Sequence, residues 1–147
     1  SFLVCVNVFD RYMYARPLRS KENKEVAEKL KEILDQRQSD GRKKAQIISS
    51  DNGPEFVNPD VKRLFDRKNI VQKLKDVGDL NALGLVDRAI GLLKRRLAEM
   101  HTANKKSWGV NLQAAVAALN KTPKPDILHG DAPDEVKDDP EVRFMLM

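Results

Sequence analysis

The chain has 147 residues, of which 41% are hydrophobic and 33% charged, and its net charge is +5. This length supports one domain with a single core, and this balance is typical of a folded globular protein rather than a disordered one. No apolar run approaches the roughly 18 residues that a membrane-spanning helix needs, so the sequence predicts no membrane segment. The single cysteine, Cys5, cannot form an internal disulfide, which favours a reducing, intracellular compartment.

The positive charge is concentrated in two parts of the chain. Residues 1–50 carry 11 Lys and Arg against 7 Asp and Glu, and residues 84–106 carry 6 against 2, so each part has a charge of +4. Residues 107–147 carry 4 against 7, a charge of −3. A basic helix followed by an acidic tail indicates a polyanionic partner, although a lysine-rich helix can also be basic only because its outer face is solvated.

The first half of the chain predicts strands that alternate with a helix. The apolar run at 2–9 predicts a strand buried on both faces, and the Asp-Arg pair after it predicts a hairpin to a second strand. Residues 20–38 change to a helical period. Residues 45–49 then predict a short buried strand.

The second half predicts helices around one more strand. Asn58 is expected to cap a helix that begins at Pro59, and residues 70–74 predict a strand. The stretch 75–84 has no sustained period and is expected to be a loop, and residues 85–101 predict a basic helix.

The chain is expected to end in a helix and a tail. Trp108 heads the apolar stripe of the last predicted helix and is expected to lie in the core. A Pro-rich acidic stretch follows, so we divide the chain into a domain at 1–136 and a C-terminal tail at 137–147. The order of elements implies a mixed α/β sheet covered by helices.

The predicted strand at 45–49 delivers an acid at its end, in the stretch "SSDNGPEF". Asp51 would emerge at a sheet edge, where α/β proteins place ligands. Asn52 and Gly53 predict a turn that accepts positive φ, and Gly53 would let a polyanion approach the backbone. The alternative is an Asx-type turn without further function.

A second acid follows after 35 intervening residues. Asp87 is expected in the first turn of the basic helix, and Lys94 lies two turns further along the same helical face. Arg95 and Arg96 follow, and either contact phosphates or only solvate the helix. Asp87 has its own alternative interpretation, as an N-terminal acid that stabilises the helix dipole.

Together, "SDNGPEF", "LGLVDRAIGLLKRRL" and "HGDAPDEV" resemble the catalytic core of retroviral-type integrases, particularly those of LTR retrotransposons and Maverick/Polinton elements. In that family "SDNGxEF" carries the second of three catalytic acids, and the third follows after 35 residues in many members. The resemblance implies an RNase H-like fold in which Asp51 and Asp87 are catalytic metal ligands. It implies DNA as the partner, a homo-oligomer or larger complex, and a nuclear or otherwise intracellular location.

The resemblance also implies a cofactor and a DNA surface. Polynucleotidyl transfer in this family uses two divalent ions, Mg²⁺ or Mn²⁺, about 3.5–4 Å apart. Carboxylates are the hard oxygen ligands that Mg²⁺ prefers. Five residues are expected to contact the nucleic acid: Asn52, Gly53, Lys94, Arg95 and Arg96.

Three departures from the family pattern predict impaired activity. The family's first acid lies on a strand upstream of the one at 2–9, so it is absent here; Asp10, in the hairpin where family members usually have Ser, is the alternative candidate for a metal ligand. The third acid is Asp87 instead of Glu, which shortens the side chain by one methylene. Ile90 replaces a frequent Asn one turn later.

Two hypotheses of different classes follow, and an unrelated α/β enzyme is a third. The first is an integrase-type core for DNA integration, incomplete in this chain. The second is a catalytically inactive integrase-derived domain that binds nucleic acid or serves as a scaffold in a larger assembly.

Overall fold

The computed structural model of the chain describes residues 1–8, 11–74, 80–122 and 141–146, with the side chains of 80–86, 141, 143 and 145 left out. The strands within these ranges are β1 (Phe2–Asn7), β2 (Met13–Pro17), β3 (Ile47–Ser50), β4 (Val71–Leu74) and β5 (Glu141–Leu146). The helices are α1 (Asn23–Ser39), α2 (Pro59–Arg67), α3 (Leu80–Asn104) and α4 (Trp108–Asn120).

The five strands form one mixed sheet in the order β2-β1-β5-β3-β4. Strand β1 is antiparallel to both β2 and β5, and β3 is parallel to both β4 and β5. Strand β5 therefore joins an antiparallel half of the sheet to a parallel half. The mixed α/β sheet that the sequence predicted is confirmed.

The central position of β5 corrects the sequence interpretation of the C-terminal residues. We expected a tail at 137–147, but residues 141–146 form the middle strand of the sheet. Val142 and Phe144 are fully buried. Only a short apolar alternation marks this strand, and its burial depends on β1 and β3, which are far away in sequence.

The core has two layers, one on each face of the sheet. Alternation along β1 divides its side chains between them, because Leu3 and Cys5 lie in one cluster and Val4 and Val6 in the other. The first cluster packs against α1 and α2. The second packs against α3 and α4, through Leu93, Leu97, Leu112, Ala115 and Val116 among others.

Helix α2 begins as the sequence predicts, but α3 begins earlier. The Asn58 side chain accepts a hydrogen bond from the Val61 amide at 3.0 Å, and Pro59 is the first helical residue. The loop expected at 75–84 is wrong for residues 80–84, which belong to α3. The good helix formers Leu and Ala in this stretch offset the roughly 1 kcal/mol that Gly84 costs inside a helix.

Trp108 corrects a second expectation, because its side chain is 40% exposed. Leu112 and Val116, further along the same stripe of α4, are buried as predicted. Trp108 is the first residue of the helix, after the cap Ser107. An end position provides fewer neighbours, and a side chain of this size is seldom covered completely.

Candidate functional site

Asp51 is the first residue after β3 and lies at the carboxyl end of the parallel strands β3, β4 and β5. Its side chain is half-buried. Ile48 lies in the cluster against α1 and α2. Alternation therefore directs Ser49 to the α3 and α4 side, and its continuation would direct Asp51 to that side too.

A tight turn follows Asp51 and is anchored at both ends. The amides of Phe56 and Val57 donate to the Gly53 carbonyl at 3.1 and 3.0 Å. The Phe56 ring is buried in the core. The Gln72 side-chain amide donates to the Phe56 carbonyl at 2.8 Å and to the Ser50 hydroxyl at 3.1 Å. These contacts fix the backbone that carries the acid.

Sequence reasoning missed the anchoring role of Gln72. Its position in β4 gives no local signal, because the contact joins residues that are 16 and 22 positions apart. Phe56 belongs to the quoted motif, and its apolar side chain beside a Gly-Pro turn was the available signal of an anchor.

The conformation of the turn corrects one expectation for Asn52 and Gly53, namely that the turn needs a positive φ. Neither residue has a positive φ, and the described residues that do are Arg11, Gly41, Asn69 and Lys105. A Cβ added at Gly53 would come within 2.6 Å of the Glu55 carboxylate, but this is the end of a flexible side chain that can move away, so the turn itself does not require glycine there. Asn52 is exposed and Gly53 is half-buried beside Asp51.

Asp87 is exposed and lies seven residues after the start of α3 at Leu80. The dipole interpretation is therefore wrong, because that effect is confined to the first turn of a helix. Helix α3 packs on the face of the sheet toward which the alternation of β3 directs Asp51. Ile90, one turn after Asp87, is buried in that packing.

The basic residues of α3 lie on its exposed surface. Lys94, Arg95 and Arg96 are all exposed, and Lys94 lies on the same helical face as Asp87. Arg96 forms a surface ion pair with Glu99 at 3.8 Å. Among the residues that the structure describes, no ion pair engages Lys94 or Arg95. This surface can therefore approach a polyanion without first breaking strong contacts.

No group of three or more His, Cys, Asp or Glu within the described ranges could hold a metal ion. Strand β5 lies beside β3, and its one acid, Glu141, pairs with Ile47. That position is four residues before Asp51, or about 13 Å along the strand. Two carboxylates are enough ligands for one Mg²⁺ whose other ligands are water or phosphate, but too few for a pair of ions.

Asp10 lies outside the described residues. Asn7, at the end of β1, pairs with Val142, which in turn pairs with Ile48 near the beginning of β3. Asp51 follows the other end of β3. Strand β1, which leads into the hairpin, thus ends beside the amino end of β3, whereas Asp51 follows the carboxyl end of β3.

Titratable groups on the other face of the sheet serve packing. Burial raises the pKa of the Cys5 thiol to about 12, so this cysteine is a core residue, as the sequence predicts, and not a nucleophile. Burial and a 2.7 Å hydrogen bond donated to Asp40 raise the pKa of Tyr14. Both residues lie in the cluster against α1 and α2.

Comparisons with known proteins relate the chain to a transposon-derived protein and to a solved integrase structure. No family model matches the chain. A transposon-derived protein of Caenorhabditis elegans is 32% identical over 121 residues, which are 82% of this chain and 40% of that protein. The chain thus spans well under half the length of this curated relative.

Among solved structures, the catalytic core domain of BIV integrase superposes with a TM-score of 0.77. Its sequence is 23% identical, and the match covers 92% of this chain and 84% of that one. Within the described ranges, no helix is long and apolar enough to cross a membrane.

Proposed function

We propose that this chain, which has the fold of a retroviral integrase catalytic core, is a DNA-integration domain of a transposable element. The observation that carries the proposal is the position of Asp51 at the end of β3, together with Asp87 on a helix that packs against the same layer. The similarity to a transposon-derived protein supports the origin in a mobile element.

The proposed site joins a metal-binding pair of acids to a phosphate-binding surface. Asp51 and Asp87 would hold Mg²⁺ or Mn²⁺, which supplies charge stabilisation at a phosphodiester when bound. Asn52 and Gly53, in the turn beside Asp51, would approach the DNA backbone closely. The basic residues of α3 would contact phosphates along the same strand of DNA.

We propose further that activity is impaired in this chain. A third carboxylate would have to stand beside Asp51, and that place in the sheet belongs to β5, whose Glu141 pairs at the other end of β3. Asp87 is also one methylene shorter than the family's Glu. Displacements of this size at a reacting centre lower rates by large factors.

The second candidate function is a DNA-binding or scaffold domain without catalysis. The burial of Ile90 favours it, because the position where the family often has a polar Asn is here part of the core. The two candidates share DNA binding and differ only in metal-dependent chemistry.

An activity assay on matched proteins separates the candidates. The 147-residue chain should neither nick nor join labelled element-end DNA with Mg²⁺ or Mn²⁺. Placing an aspartate-bearing strand before Ser1, together with Asp87→Glu, should give measurable Mn²⁺-dependent activity, because the added strand can take the central slot of the sheet from β5. The same extended chain with Asp51→Asn is the control and should stay inactive.

Two results would decide against integrase chemistry. One is an extended chain that folds and binds DNA but has no activity, which leaves the scaffold function. The other is full activity in the Asp51→Asn control, which would place the chemistry elsewhere.

A further inference from the structure

The two edges of the sheet differ in how their backbone groups are satisfied. At the β2 edge, Asn120 of α4 accepts from the Met13 amide at 2.8 Å and donates to the Met13 carbonyl at 3.0 Å. The Gln113 side chain donates to the Ala15 carbonyl at 2.8 Å. Helix α4 thus covers this edge and prevents another strand from pairing with it.

The β4 edge has no comparable cover from any described residue. The Val71 amide donates inward to the Gln46 carbonyl at 2.9 Å. Successive residues of a parallel strand direct their backbone groups to opposite sides, so Gln72 and Leu74 present theirs outward. Val71 and Leu74 are 66% and 39% exposed, and of the four side chains of β4 only Gln72 is partly buried.

A groove of about 440 Å³ lies between this edge and α2. Its lining includes Val57, Pro59, Phe65 and Ile70, and it is therefore largely apolar. The Gln72 side chain is held on this face by its bonds to Ser50 and Phe56. An added strand would direct every second side chain into the groove, which is the mode of recognition by β-augmentation.

The charge of Lys73 indicates which other side chains an added strand should carry. Lys73 alternates with Gln72, so it stands on the face away from the groove, and it is exposed. Cross-strand pairs of opposite charge stabilise a two-stranded contact. The groove itself is lined by one base and one acid, Lys62 and Asp66, whose charges offset each other, so its apolar lining decides which side chains it takes. The occupant should therefore alternate apolar residues toward the groove with acidic residues toward Lys73.

We infer that the β4 edge is a docking site for an extended partner peptide in which apolar and acidic residues alternate. The peptide pairs with the outward backbone groups of Gln72 and Leu74, fills the groove with its apolar side chains and neutralises Lys73. The residues of this site lie on β4 and α2, whereas those proposed to contact DNA lie on α3 and in the turn after β3, so substitutions can test the two sites independently.

The test measures fluorescence anisotropy of a labelled peptide of alternating valine and glutamate. The wild-type chain should bind it saturably, and at least about tenfold more tightly than a peptide with the same residues in two blocks. Lys73→Glu should weaken binding by at least about tenfold, because it replaces attraction with repulsion. Lys43→Glu, an exposed lysine before β3, is the matched control and should bind like wild type.

A second variant addresses the backbone pairing. Leu74→Pro removes an amide that points outward and spares the bonds to β3, so it should abolish binding while the circular dichroism melt stays unchanged. If Leu74→Pro unfolds the chain, the comparison of Lys73→Glu with Lys43→Glu still tests the proposal.

Several results would overturn the proposal. One is that the wild-type chain does not bind the alternating peptide at concentrations up to about 1 mM. Another is that it binds the alternating and the block peptide equally, and a third is that Lys73→Glu binds the alternating peptide as tightly as wild type does. A dimer that Leu74→Pro abolishes in sedimentation would also overturn it, because a second copy would then be the occupant.

Discussion

At the residue scale, the position of Asp51 depends on side chains that carry no chemistry themselves. Phe56 holds the turn from the core side, and Gln72 holds it from β4. The motif predicted the acid and the turn, because both are local in sequence. It could not predict Gln72, since that contact arises only when β3 and β4 pair.

Replacement of Phe56 tests this anchor. Phe56→Ala should lower the free energy of unfolding by about 3–5 kcal/mol, because it leaves a cavity in the layer against α1 and α2. Val57→Ala, at a neighbour that is 44% exposed, is the control and should change it by less than about 0.5 kcal/mol. Urea denaturation measures both, and equal losses would mean that Phe56 is not an anchor.

At the element scale, α3 begins earlier than the sequence predicts, and its basic face is exposed to solvent. The basic helix predicted at 85–101 lies within α3, where Leu93 and Leu97 are buried and Lys94, Arg95 and Arg96 are exposed. The start at Leu80 escaped prediction because Gly84 and the aspartates before it indicate a loop, while packing on the sheet favours the longer helix. This longer helix moves Asp87 away from the helix end.

The basic surface of α3 gives a prediction about salt. Replacing Lys94, Arg95 and Arg96 by Ala should reduce the slope of log K against log salt for DNA binding by about three units, because each phosphate contact releases about one counterion. The melting temperature should stay unchanged, since all three are exposed. A control with Lys43, Lys44 and Lys121 replaced by Ala should keep the slope; an unchanged slope in the first variant would assign these residues to solvation.

An ion pair at 2.8 Å joins Asp35 of α1 to Lys68, the residue that follows α2, and it gives the stability a pH dependence. Lys68 and then Lys31 donate hydrogen bonds to Asp35 and lower its pKa. A lowered folded-state pKa stabilises the fold above the ordinary Asp value of about 3.9, and this contribution is lost as pH falls through the folded pKa.

Lys68→Met should therefore reduce the loss of stability between pH 7 and pH 2.5, because it removes the largest cause of the shift. Lys24→Met, at an exposed position of α1, is the control and should leave the pH dependence as in wild type. Thermal melts at the two pH values measure the difference. If Lys68→Met leaves the pH dependence intact, Asp35 does not contribute to the pH dependence of stability.

At the scale of the whole molecule, β5 holds the two halves of the sheet together. Without it, β1–β2 and β3–β4 would be separate two-stranded ribbons, which are marginal by themselves. The sequence predicted the class of fold from local periods. It could not predict which strand is central, because that depends on pairing between the first and last strands of the chain.

Ending the chain at Pro140 tests this role. The shortened protein should lose its cooperative thermal transition, because Val142 and Phe144 no longer fill the core. Deletion of Met147 alone should leave the transition unchanged. A cooperative transition in the shortened protein at the wild-type temperature would show that β5 is dispensable.

We propose that Asp51 and Asp87 form one metal-binding site, with their carboxylates within roughly 4–9 Å of each other, a range that a shared metal site can bridge. Paramagnetic broadening of amide resonances by Mn²⁺ tests it directly, because it reports every residue near a bound ion, even a weakly bound one. We expect simultaneous broadening around residues 51 and 87, which either Asp51→Asn or Asp87→Asn should abolish in both segments and which Asp60→Asn should retain. Broadening of one segment alone, or of neither, would contradict it.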